Sequence, residues 1–157
     1  MNIAFLLRPK SEVAYLYDDF TLRQGLEKMR HHGYTAIPVI DREGRYVTTV
    51  SEGDFLWFLL NGNDDDNSSE LSEVKMQNLE KLPIRELIHA DKNPPASITA
   101  SVNELINRAT EQNFIPVTDD SGSFIGIVTR GDVIKYTAKN VNWSVPSGLY
   151  SSKCSTK

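Results

Sequence analysis

Residues 37–56 read IPVIDREGRYVTTVSEGDFL, and residues 115–134 read IPVTDDSGSFIGIVTRGDVI. At a constant offset of 78, eight of the twenty positions are identical, where unrelated segments of this composition would share about one. Working upstream, Leu22, Leu26 and Met29 on one helical face correspond to Val102, Ile106 and Ala109, and the second copy is two residues shorter before its Ile-Pro-Val. Two copies this far apart indicate a duplicated domain rather than a solenoid.

Each copy carries the same succession of local signals. Thr21 with Gln24, and Ser101 with Glu104, have capping-box spacing and open helices near 22–32 and 102–112. Gly33 and Asn113 are the expected stops. Runs at 35–40 and 114–118 precede Asp-Arg-Glu-Gly and Asp-Asp-Ser-Gly turns, and the chain returns through 46–50 and 124–128, which predicts two hairpins. A short strand near Val13 to Leu16 or Ala96 to Ile98 precedes each first helix, and a second helix follows each hairpin. The predicted unit is β-α-β-β-α, present twice, in an α+β fold.

Outside the repeats the chain is polar. Its 157 residues carry 17 basic and 21 acidic groups, a net charge of −4. Asp64, Asp65, Asp66, Glu70 and Glu73 account for −5 and leave +1 for the rest. The expected division is copy one over 1–60, an acidic loop and linker over 61–82, copy two over 83–140 and a flexible tail over 141–157. The triple aspartate lacks the spaced ligands, turn glycine and terminal glutamate of a calcium loop. The single cysteine, Cys154, excludes an internal disulfide. No apolar run approaches a membrane span and no secretory leader is visible, so a cytoplasmic location is expected. No basic stripe suggests nucleic acid.

Each hairpin ends in the same signature, Ser51-Glu52-Gly53-Asp54 and Thr129-Arg130-Gly131-Asp132. A hydroxyl three residues before a carboxylate is a helix cap. The same geometry suits a ligand, because the free amides and the dipole of a helix start attract an anion. An aspartate in the first turn can accept from two adjacent ribose hydroxyls. His31 and His32 are adjacent at a helix end and diverge, which fits charge complementation there better than a shared metal.

The doubled pattern, with Ile-Pro-Val, a turn Asp and Gly, and Gly-Ile-Val-Thr-x-x-Asp before an apolar helix, resembles a tandem pair of cystathionine-β-synthase (CBS) domains, a Bateman module, over residues 10–140. The first copy departs from the family pattern with Thr48 in place of glycine and Ser51 in place of threonine. The resemblance implies a pseudo-twofold disc with two clefts for adenosine-containing ligands. It nominates Thr129 for phosphate and Asp132 for ribose, with Ile98, Phe114, Ile115 and Pro116 around the base and Arg130 as a phosphate partner. For the other cleft it nominates Ser51 and Asp54 with Ala14, Tyr34, Ala36 and Pro38. Gly126 is expected to let backbone approach a ligand, and Thr48 to obstruct it, so Asp132 should matter more than Asp54.

Phe55 to Leu60 is apolar on every side of its helix, more surface than one small sheet covers, and the family's habit of pairing discs predicts a homodimer through it. No Walker A loop, Gly-x-Ser-x-Gly elbow, His-Glu-x-x-His or Cys-His pair is present, so an enzyme is not expected. The reading is a regulatory module that senses AMP, ADP or ATP without a catalytic cofactor and reports through an unidentified partner or its own oligomer. The alternatives are a cyclic di-AMP receptor and a protein-interaction adaptor.

Overall fold

Thr21 and Ser101 start the first helix of each copy by accepting from the backbone N–H three residues on, a donor the helix itself leaves unpaired. In the computed structural model, which describes residues 3–61, 77, 79–88 and 92–140, only the first of these is a full capping box. The Gln24 side chain accepts from the Thr21 N–H at 2.9 Å, whereas Glu104 is taken by Arg108 one turn on, at 2.8 and 3.0 Å. Gly33 ends the first helix in the left-handed region at φ 68°, as expected. Asn113 is not such a stop: the shorter connection in copy two leaves no room for one, and the chain runs through extended Gln112, φ −111°, into the next strand. The expectations for the acidic run after Asn61, part of the linker over 61–82 and the tail with Cys154 fall outside the described residues.

Copy one comprises β2 (Leu16–Tyr17), α1 (Leu22–His32), β3 (Ala36–Ile40), β4 (Tyr46–Ser51) and α2 (Glu52–Asn61). Copy two comprises β5 (Ala96–Ser97), α3 (Val102–Glu111), β6 (Phe114–Thr118), β7 (Phe124–Thr129) and α4 (Arg130–Asn140). A further strand, β1 (Arg8–Pro9), precedes both. The β-α-β-β-α order thus occurs twice, and the fold is α+β as expected. One sheet has the order β2-β3-β4 and the other β1-β7-β6-β5. In each, the short first strand lies parallel to the Pro-Val strand, which pairs antiparallel with the next.

The hairpin turns explain how the copies meet. Asp41 and Asp119 accept backbone N–H groups across their own turns, and Gly44 and Gly122 supply the left-handed residue, at φ 83° and 82°. The turns then bond to each other: the Tyr46 N–H donates to the Gly122 carbonyl at 3.1 Å, and the Phe124 N–H to the Gly44 carbonyl at 2.9 Å. This reciprocity is the local mark of the pseudo-twofold arrangement.

Each copy also borrows a segment from beyond its repeat. Ile3, with Leu6 and Leu7, packs into the core of copy two beside Ile115, Val117 and Val133. Ile84 and Leu87, from the stretch that leads out of the linker into copy two, pack into copy one with Leu16, Leu22 and Phe55. Backbone bonds fix the linker there, the Leu22 N–H donating to Leu82 at 2.9 Å and the Ile84 N–H to Phe20 at 2.7 Å. Burying such aliphatic side chains contributes roughly 1.5–3 kcal/mol each, enough to hold both segments in place.

Candidate functional site

Both signatures sit where the last strand of a copy becomes its last helix. The Thr129 hydroxyl donates to Asp132 Oδ2 at 2.6 Å and accepts from the Asp132 N–H at 3.1 Å. In copy one the Ser51 N–H and hydroxyl donate to Asp54 Oδ2 at 2.7 and 3.0 Å. Each pair is a cap that holds a carboxylate at a helix start.

A cation from elsewhere then engages each carboxylate. Arg8 grips Asp132 with both arms of its guanidinium, Nε to Oδ2 at 2.8 Å and Nη2 to Oδ1 at 3.1 Å. Lys92 Nζ donates to both oxygens of Asp54, at 2.5 and 2.7 Å. The Arg8 hydrogen bond outweighs partial burial and holds the Asp132 carboxyl at about 2. Burial pushes Asp54 upward, but Lys92 and Ser51 overcome it and leave its pKa below the usual value.

The Asp132 interaction makes stability pH-dependent. A carboxyl depressed in the folded state contributes fully above its unfolded pKa near 4 and loses that contribution as pH falls toward 2. Because the Arg8 side chain is 53% exposed, solvent reduces the gain to about 1 kcal/mol. Denaturant unfolding of Asp132→Asn should show that deficit at pH 6 and converge on the wild type by pH 2. A deficit independent of pH would assign the effect to the cap instead.

A cleft of about 240 Å³ opens between the copies beside Arg8. Val13, Ala14, Tyr34, Ala36 and Pro38 of copy one line it together with Asn113, Phe114, Ile127 and Thr129 of copy two. The structure therefore places the expected wall residues of copy one in a cleft with the hydroxyl of copy two, while Ala36 also pairs across the sheet with Ser51. Ile115 and Pro116 are buried and Ile98 is half-buried, Ile115 and Ile98 in the core of copy two; none of the three lines this cleft. Arg130 does not line it either. Its Nε donates to the Gln112 carbonyl at 3.2 Å, and with Ile106, Val133 and Ile134 it borders an apolar groove of about 400 Å³ between α3 and α4. His32 stacks on Tyr34 at the cleft edge, with ring centroids 5.4 Å apart.

Gly126 has a different role from the one expected. A Cβ there would lie 2.1 Å from the carbonyl oxygen of Arg8, so the glycine admits the backbone of β1, which pairs with β7 at this residue, rather than that of a ligand. Thr48, its counterpart, is buried in a sheet with no such added strand among the described residues. Arg8 and Lys92 escaped the sequence reading. Their only signal is a basic residue shortly upstream of the first strand of a copy.

Among the described residues no helix is long and apolar enough to cross a membrane, and no cluster of His, Cys, Asp and Glu could hold a metal ion. An uncharacterized protein of Methanocaldococcus jannaschii is 27% identical, with 76% of this chain and 83% of that protein covered. Among solved structures, CbpB in complex with c-di-AMP superposes with a TM-score of 0.75 at 22% identity, covering 88% of this chain and 85% of that one. CBSX2 in complex with AMP superposes at 0.66 and 20% identity, covering 88% and 96%. A family model described as CBS domain matches residues 6–61 and 81–139, one stretch for each copy and most of the chain. The repeated unit read from residues 37–56 and 115–134 is thus a CBS domain, and the chain belongs to the CBS domain family as a tandem pair.

Proposed function

We propose that this CBS pair is a regulatory module that binds an adenosine-containing nucleotide in the cleft between its copies, without consuming it. The observation that carries this reading is the cleft itself, walled by apolar residues of both copies and bordered by Arg8 and Thr129, the two side chains that hold Asp132. An apolar wall suits a base, a carboxylate suits ribose hydroxyls, and a hydroxyl at a helix start suits phosphate. The AMP and c-di-AMP complexes among the structural neighbours support the same class of ligand. The c-di-AMP complex of CbpB supports cyclic di-AMP as the second reading. Thermal-shift measurements with AMP, ADP, ATP, S-adenosylmethionine and cyclic di-AMP test the proposal, since a ligand at a hundred times its Kd stabilises by about 2.7 kcal/mol. No shift with any of them, and no calorimetric heat at millimolar concentration, would end it.

The Asp132 site is the stronger of the two in this reading. Asp132 is 21% exposed and stands next to the open cleft, whereas Asp54 is 12% exposed and enclosed by Ser51 and Lys92. Asp132→Ala should cost about 1–3 kcal/mol of binding, the worth of a charge-assisted pair of ribose hydrogen bonds, and Asp54→Ala less. Equal losses in calorimetry would reverse the ranking.

The reading includes a homodimer in the cytoplasm that passes ligand occupancy to a regulated protein. Leu56, Trp57 and Leu60 on α2 are 54%, 61% and 54% exposed, and Ile134 on α4 is 59% exposed. Phe58 belongs with the core of copy one, so the outward face is narrower than the all-apolar sequence suggested. Trp57→Glu should yield folded monomers by light scattering. A wild type already monomeric at micromolar concentration contradicts the pairing.

A further inference from the structure

The aspartates assigned to ribose are already occupied. Arg8 precedes the first strand of copy one and closes on Asp132 of copy two; Lys92 precedes the first strand of copy two and closes on Asp54 of copy one. Two segments with no sequence likeness thus do the same thing at pseudo-equivalent places. A simple helix cap needs neither cation, because Thr129 and Ser51 already complete it.

We infer that Arg8 is an exchangeable counter-cation: ligand binding transfers it from Asp132 to a phosphate of the ligand, so the cleft selects adenosine compounds that carry a phosphate over those that do not. This rests on the nucleotide reading above and names the part of the ligand that reading leaves open. A ribose that donates two hydroxyls to Asp132 must displace the two guanidinium bonds, at 2.8 and 3.1 Å. Arg8 lines the cleft, so the displaced group stays inside the site. Its planar fork fits two oxygens of a phosphate as well as it fits a carboxylate. A phosphorylated ligand therefore returns an ion pair for the one it breaks. Adenosine returns none. Pairing with Glu12, the acidic group on the same wall, does not compensate, because an exposed pair of that kind contributes little.

The test is calorimetric titration of AMP and adenosine into the wild type, Arg8→Met and Arg8→Lys. The wild type should bind AMP at least about tenfold more tightly than adenosine, the ratio expected of one charge-assisted bidentate contact. In Arg8→Met adenosine should bind as well as before or better, since Asp132 is released, while AMP weakens until the two ligands differ by less than about threefold. Arg8→Lys, which keeps the charge and loses the fork, should fall between. An unchanged preference in Arg8→Met overturns the exchange while leaving the nucleotide reading intact, and equal weakening of both ligands overturns it by making Arg8 a structural residue. Should Arg8→Met fail to fold, the wild-type ratio decides: equal affinities overturn the proposal. Absence of binding by either ligand removes the nucleotide reading and the exchange together.

Discussion

Gly126→Val should lower the unfolding free energy by about 3 kcal/mol or more, the sum of an overpacking cost and of lost burial when a docked segment detaches. The space that a Cβ would need is filled by main chain. It would meet the Arg8 carbonyl oxygen at 2.1 Å and the carbonyl carbon at 3.0 Å, and no rotamer change relieves a clash with backbone. The least costly response is release of residues 3–9. That exposes Ile3, which is wholly buried, and takes Arg8 from Asp132. Denaturant unfolding measures the loss, and limited proteolysis at the N-terminal arm shows where it occurs. A variant with wild-type stability and a protected arm would mean that β1 does not dock on β7. Gly126→Ala should act in the same direction, more gently.

That arm also marks the boundary of what the sequence discloses. The hairpins were legible because their signals are local: a turn aspartate and glycine, flanked by apolar runs at a fixed offset. The near-continuous apolar Ile37–Ile40 and Ile115–Val117 runs are buried throughout, and only the first residue of each strand, Ala36 or Phe114, is half-buried. The signature carboxylates were legible as caps, and the structure has them capping. By contrast, the partners of those carboxylates come from 124 and 38 residues away, and nothing in the local sequence of Arg8 or Lys92 says which copy each will reach. The same non-local crossing puts Ala36 and Pro38 in one cleft with Thr129 of the other copy, a neighbour no local pattern names. Gly126 was visible as a glycine aligned with Thr48 of copy one. Its cause was not, since only the folded chain puts the Arg8 carbonyl there. For α2 the composition revealed an excess of apolar surface but not its division.

Phe55 decides that division, and Phe55→Ala should cost about 3–5 kcal/mol, a large part of the stability of an ordinary domain. The ring is 2% exposed, and it follows directly after Asp54, so it is what pins the start of α2 to the body of copy one. Its surroundings come from separate elements: Leu16 on β2, Gly25 on α1 and Ile84, just past the linker, converge on one point. A Cβ at Gly25 would stand 3.2 Å from the Phe55 ring and 2.8 Å from Ile84, which shows how little slack the contact has. Neighbours tied to that many elements cannot collapse together into the space left by a ring, so the cavity cost is added to the transfer cost. Leu56→Ala, one residue on and 54% exposed, should change monomer stability by no more than about 0.5 kcal/mol. Urea titrations of the two variants side by side make the comparison, and repeating them over a range of protein concentrations separates the two faces of the helix. The Phe55→Ala deficit should not depend on concentration, whereas that of Leu56→Ala should grow with it if the outward face joins two copies. A loss below about 1 kcal/mol for Phe55→Ala would mean that the helix start is held by its cap and by Lys92 rather than by the core.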